Sequence, residues 1–160
     1  MIPSILQINR KPRKKGEAGL PKISIEEAKV TSQGIEGDFN RYRTLRKNSD
    51  PDMALLILSD DIINQLNREG WPVRPGDLGE NLTLTNIDYS SILPGQNYKI
   101  GNIQIMISFI CDPCSYLEVL PYVGEIKLID FIKTLKNRRG WYARVVRGGQ
   151  IFAGDLVKII

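Results

Sequence analysis

Apolar and polar residues alternate with a period near two over residues 4–8 and 23–31, which predicts two strands. Between them lies the basic run Arg10-Lys-Pro-Arg-Lys-Lys15, followed by Gly16 and Gly19. Pro12 and the glycines oppose a regular binding face, so this segment reads as a solvated loop, or as an edge that attracts a phosphorylated ligand. From residue 34 to 52 the chain is polar, rich in Gly, Asn, Asp and Arg, with little periodicity. A loop of that length in a compact domain is the first place to look for ligand contacts.

Residues 53–58 form a short, fully apolar run suited to a buried strand. Ser59-Asp60-Asp61 then supplies an N-cap hydroxyl and first-turn carboxylates for a helix ending at Gly70. Ile62, Ile63 and Leu66 share its inner side, Asn64, Asn67 and Arg68 face water, and Trp71 reads as a packing residue. Residues 81–85 alternate as a strand, and 98–100 joins 103–107 through Gly101-Asn102, a hairpin link. Ile126, Ile129, Ile132 and Phe131 or Leu135 stand at helical spacing over 125–136. The end reads as a second hairpin, residues 141–146 and 150–152 around Gly148-Gly149, followed by a strand over 156–160. Many short strands with a few short helices predict a strand-rich, barrel-like α+β fold.

Length and composition narrow this further. The chain has 160 residues, 42% hydrophobic and 25% charged, the profile of one globular domain over residues 1–160. It lacks an apolar run of about 18 residues and a basic signal-peptide start, so the expected location is cytoplasmic, with no membrane partner. The net charge of +4 favours anionic partners without pointing to nucleic acid.

The chain contains two cysteines and no histidine. That excludes Ser-His-Asp and Cys-His nucleophile pairs and a histidine-ligated zinc. A reducing compartment keeps both cysteines as thiols. Cys111-Asp-Pro-Cys114 has dithiol redox spacing, although hairpins surround it and not a βαβ unit. Cys111 reads as a small core residue at a strand end. Cys114, after the bend at Pro113, could receive backbone N–H groups and the positive end of a following helical turn. It is the candidate reactive group.

Gly34-Ile-Glu-Gly-Asp38, Arg74-Pro-Gly-Asp-Leu-Gly-Glu-Asn-Leu82, Pro113-Cys114 and a Gly-Gly-x-Ile-x-x-Gly-Asp ending follow one another. In that order and approximate spacing the chain resembles the MOSC domain, the molybdenum cofactor sulfurase C-terminal family, in its small form. The resemblance implies a barrel-like fold and makes Cys114 the functional thiol. That thiol would either carry persulfide sulfur or, with a molybdenum cofactor (molybdopterin) bound, ligate the metal. Family members commonly place a histidine soon after the Gly-x-x-Gly-Asp segment. Here the chain reads Asp38-Phe-Asn-Arg-Tyr-Arg43, so any such role is lost or moved to Asn40 or Arg41.

Arg41, Arg43 and Arg139 are candidates for a pterin phosphate, the alternative being solvated side chains. Glu80 and Asn81 are either orienting groups near the pocket or turn stabilisers. Cys111, not required by the family pattern, could resolve a persulfide or sulfenate on Cys114 as a disulfide. The leading expectation is a sulfur carrier that takes persulfide from a cysteine desulfurase, a pyridoxal phosphate enzyme, and delivers it to a metal-sulfur or molybdenum acceptor. The alternatives are a molybdopterin-dependent reductase of N-hydroxylated compounds and a non-catalytic module binding an anion or partner protein.

Overall fold

The computed structural model describes all 160 residues. Its larger sheet has eight strands in the order β11-β7-β8-β9-β5-β6-β1-β2, and a second sheet has three in the order β10-β3-β4. The strands are β1 (Ser4–Arg10), β2 (Ile23–Ile25), β3 (Glu27–Thr31), β4 (Gly34–Ile35), β5 (Leu55–Ser59) and β6 (Leu82–Thr85), then β7 (Asn97–Ile100), β8 (Ile103–Ile110), β9 (Trp141–Arg147), β10 (Gly149–Phe152) and β11 (Val157–Ile159). The helices are α1 (Arg41–Arg46), α2 (Asp60–Arg68) and α3 (Gly124–Leu135). The fold is strand-rich α+β, as the alternation predicts.

The expected barrel-like arrangement is present without full closure. The large sheet ends in β2 and β11, which do not pair, while the bridge between Ser4 and Leu156 and backbone hydrogen bonds from Ile5 to Asp155 and from Val157 to Pro3 join the start of β1 to the segment entering β11. Two expectations fail for reasons of long-range pairing. The predicted strand over 23–31 divides at Glu26, because β2 pairs with β1 while β3 pairs with β10 and β4. The predicted terminal hairpin is absent: β9 pairs with β5 and β8, and β10 leaves for the other sheet. Gly148 allows this departure, since a Cβ there would stand 2.4 Å from the Val30 carbonyl oxygen. The hairpin of β7 and β8 forms as expected, Ile100 opposite Ile103.

The core fills the space between the sheets and helices with Ile5 and Ile8 of β1, Leu55 and Ile57 of β5, and Ile103, Ile105 and Ile107 of β8, closed by Leu66 of α2 and Phe131 of α3. β5, α2 and β6 form a parallel unit, with Ile57 beside Leu82, and α2 buries Ile62, Ile63 and Leu66 as its pattern requires. Ser59 is the residue before α2, but its hydroxyl donates to the Asp61 carboxylate and caps no backbone N–H. α3 differs more: Phe131 and Leu135 are buried, whereas Ile126 and Ile129 are 97% and 67% exposed. Trp71 packs on Phe131, ring centroids 4.7 Å apart. No helix is long and apolar enough to cross a membrane.

Candidate functional site

β8 delivers the chain to Cys111, which is 2% exposed and packed with Met53, Leu56 and Tyr142. Burial pushes its thiol pKa up. Pro113 then turns the chain so that Cys114, half-buried, stands in an extended conformation (φ −138°, ψ 170°) before the 3-10 turn Ser115–Val119. No backbone N–H of that turn is capped by the sulfur. The expected dipole contact is replaced by a side chain, Arg139, whose Nη1 donates to Cys114 Sγ at 3.1 Å.

Arg139 comes from the connection between α3 and β9 and is only 7% exposed. Its Nη1 also donates to the Asp112 carbonyl at 3.2 Å and its Nε to the Leu78 carbonyl at 3.3 Å, so the guanidinium is fixed in direction. Burial works against its charge, but the neighbouring Cys111 and Cys114 sulfurs and the hydrogen bond to Cys114 more than offset this, and its pKa is raised. A permanent cation therefore lies against the sulfur, in hydrogen-bond contact with it.

The sulfur opens on a cavity of about 290 Å³. Phe39, Tyr42, Phe109, Tyr116 and Tyr142 give it aromatic walls, and Asn40, Arg41, Lys47, Asp50 and Asp112 supply polar edges. One side is the connection from β1 to β2, through Ala18, Gly19 and Leu20. At Gly79 the site is open for want of a side chain: a Cβ there would meet Leu20 at 3.1 Å and lie 3.9 Å from Arg139 Nη2.

Of the residues singled out in the sequence, Cys114, Asn40, Arg41 and Arg139 share this cavity, while Arg43, Glu80 and Asn81 do not line it. Asn40 caps α1, its side-chain oxygen accepting from the Arg43 N–H at 3.0 Å. Arg43 turns inward and gives its donors to the carbonyls of Asp50, Gln33 and Ser49 and to the Gln33 side chain. It ties down the polar loop and keeps no fork for a phosphate. Asn81 accepts from the Leu56 N–H at 3.1 Å and donates to Asp38 at 2.8 Å.

Glu80 is fully buried, accepting from the Gly76 N–H at 2.6 Å and the Thr83 hydroxyl at 2.9 Å, with its other oxygen unpartnered. Desolvation raises its pKa to about 7 against those hydrogen bonds. Between the unfolded value of 4.5 and that figure the folded chain holds a proton the unfolded chain has lost, so stability falls as pH rises through this window. We expect urea unfolding to lose roughly 3 kcal/mol from this group between pH 4.5 and pH 7. Glu80→Gln should be flatter than wild type by that amount.

The sequence reading missed Lys22, Lys47, Tyr116 and Tyr142 and the β1–β2 connection as a cavity wall. Lys22 is buried and pairs with Asp38 at 2.5 Å. Its one visible signal is a lone cation in Leu20-Pro-Lys-Ile23.

A family model described as the MOSC domain matches residues 44–158. Among solved structures, the chain is similar to YiiM from Geobacillus stearothermophilus, with TM-score 0.74 and 24% identity over 99% of this chain and 75% of that one. It is also similar to the YUAD protein from Bacillus subtilis, with TM-score 0.79 and 16% identity over 99% and 96% of the two chains. YiiM from Escherichia coli matches with TM-score 0.69 and 20% identity over 100% and 70%. No curated protein matches the sequence significantly. The family model begins beyond Asp38 and Arg41, but the fold likeness extends over the β1–β2 connection as well. MOSC domains are linked to sulfur and molybdopterin binding around the molybdenum cofactor. With most of its length matched by that model and its whole fold shared with these structures, the chain belongs to the MOSC domain family.

Proposed function

We propose that the protein is a sulfur carrier in which Cys114 accepts sulfane sulfur, holds it as a persulfide and passes it to a metal-sulfur or molybdenum acceptor. The observation that carries this reading is the buried Arg139 guanidinium 3.1 Å from a half-buried thiol at a cavity wall. The Cys114 thiolate attacks the outer sulfur of a donor persulfide. A new sulfur–sulfur bond forms on Cys114, the donor's bond breaks, and the donor leaves as a thiolate, so the exchange needs no outside oxidant or reductant. Arg139 Nη2, which makes no hydrogen bond within the protein, is available to the added anionic sulfur. Attack by the acceptor on that outer sulfur regenerates the Cys114 thiolate. A cysteine desulfurase is the proposed donor, in a cytoplasmic setting that keeps both thiols reduced.

Incubation with a desulfurase and cysteine should add one sulfur to the intact mass of wild type and none to Cys114→Ser. A wild-type protein that gains no sulfur removes the carrier reading.

A second reading is favoured by the donor set. Cys114 is a soft ligand at the cavity, Arg139 Nη2 is unpartnered, and Arg41 Nε is buried without a partner. These residues fit a molybdenum cofactor: Cys114 would take the metal, and Asn40, Arg41 and Arg139 would offer polar contacts to the rest. When bound, the cofactor supplies a centre for two-electron chemistry such as reduction of N-hydroxylated compounds. Stoichiometric molybdenum in the purified protein, lost in Cys114→Ala, is the expected sign. Protein that stays metal-free after attempted reconstitution counts against it.

A further inference from the structure

The connection between β1 and β2 is held in an unusual way. Both its ends are fastened to one carboxylate: the Lys11 N–H donates to Asp38 Oδ1 at 2.9 Å and Lys22 Nζ to Asp38 Oδ2 at 2.5 Å. Asn81 Nδ2 steadies that carboxylate from behind at 2.8 Å. Between Pro12 and Pro21, the backbone receives a single hydrogen bond from the rest of the protein, Arg41 Nη2 to the Glu17 carbonyl at 2.9 Å. Gly16 and Gly19 flank this point in left-handed conformations, φ +81° and +87°, with no atom closer than 4.0 Å to where a Cβ would stand. The strap is thus pinned at its ends and turns at two glycines, and its backbone is tied in the middle by one hydrogen bond, beside the Arg13 guanidinium over Phe39 at 5.0 Å, the Lys11–Glu17 ion pair and Leu20 packed on the core.

That side chain also reaches the reactive thiol's own segment. The Arg41 guanidinium lies over the Tyr116 ring, 5.6 Å from its centroid, and Tyr116 is two residues beyond Cys114 in the same turn. The strap lines the cavity through Ala18, Gly19 and Leu20 on one side, Cys114 and Tyr116 line it on another, and Arg41 joins the two.

We propose that residues 12–21 form a gate over Cys114 and that Arg41 is its latch, setting the size of the molecule that can reach the sulfur. With the latch closed the cavity admits small thiols and persulfides. With Arg41 detached from Glu17 and Tyr116, the strap swings out about its glycines and the sulfur becomes reachable by a loop of a donor protein. The assignment of these molecules as sulfur donors rests on the carrier reading; the gate itself does not.

Two neutral maleimides test it, N-ethylmaleimide and the same group on a polyethylene glycol chain, reacted with the full chain carrying Cys111→Ser. The ratio of their rate constants cancels the reactivity of the sulfur and leaves access. The larger reagent is expected to lag in the Arg41-containing protein, and the ratio of small to large should fall about tenfold in Arg41→Ala, the scale of losing one charge-assisted hydrogen bond and a cation–π contact. Tyr116→Leu, which removes the ring and leaves the guanidinium, should shift the ratio in the same direction. A ratio in Arg41→Ala equal to that of the Arg41-containing protein overturns the gate, and if that variant does not fold, the ratio in Tyr116→Leu decides. Neither reagent transfers sulfur, so a failed persulfide experiment leaves this result untouched and the two proposals fall separately.

Discussion

Arg139→Met should slow the reaction of Cys114 with a neutral electrophile at pH 7 by about tenfold to a hundredfold. The guanidinium is buried, and its Nη1 donates to Sγ at 3.1 Å. A hydrogen bond from a charged donor contributes about 1.5–3 kcal/mol, and each 1.4 kcal/mol is a factor of ten. The same substitution strips a donor from the carbonyls of Leu78 and Asp112, so some loss of stability accompanies it. Arg139→Lys separates the two effects. An ammonium keeps a positive charge but cannot serve Leu78, Asp112 and the sulfur together from one planar group. It should recover part of the rate and less of the stability. Stopped-flow alkylation and urea unfolding read the two quantities independently. An unchanged alkylation rate in Arg139→Met would mean that the cation does not support charge on the sulfur, and the carrier mechanism would lose its physical basis.

That contact illustrates what a sequence reveals and what it leaves hidden. Cys114 is visible because Pro113 and the absence of histidine leave little else to carry nucleophilic chemistry. Arg139 is visible as a cation beside Gly140, but its role is not, since Arg138 stands next to it and only the course of the connection from α3 to β9 decides between them. Arg138 turns out to Glu69, at 2.6 and 2.8 Å, and Arg139 turns in to the sulfur. Arg43 shows the same limit: a basic residue in a polar loop suggests a ligand contact, yet its neighbours' carbonyls take its donors.

The fold divides along similar lines. The β7–β8 hairpin is legible because its link is local, and α2 because its apolar face has one helical period. The separation of β2 from β3 and of β9 from β10 depends on partners more than a hundred residues away, as when Ile151 meets Ala28, and no local pattern encodes that. In α3 two apolar stripes compete, and burial of Phe131 and Leu135 leaves Ile126 and Ile129 outside.

The largest expected loss of stability comes from Asp38→Asn. Lys22 and Asp38 form an ion pair at 2.5 Å with side chains only 3% and 9% exposed. Removing one charge of a buried pair leaves the other desolvated and unpaired, at a cost of about 3–5 kcal/mol. With ordinary urea sensitivity this lowers the unfolding midpoint by about 2 M. Asparagine keeps an oxygen for the Lys11 N–H but sets an NH2 donor where Oδ2 accepts from Asn81 Nδ2, so the loss combines the missing charge with that hydrogen bond. Asp38→Asn combined with Lys22→Met should therefore regain most of the stability, because no orphaned ammonium remains. If the single variant loses less than about 1 kcal/mol, the figure for an exposed pair, water reaches Lys22 and the carboxylate is not a rigid anchor. The two variants also divide stability from access. Methionine restores packing but cannot fasten the strap to residue 38, so the double variant should be stable and yet let the large maleimide reach Cys114 faster than wild type does. A stable double variant with wild-type access would show that the Lys11 end and the Lys22 N–H, which donates to the Gly76 carbonyl at 2.9 Å, hold the strap without the ion pair.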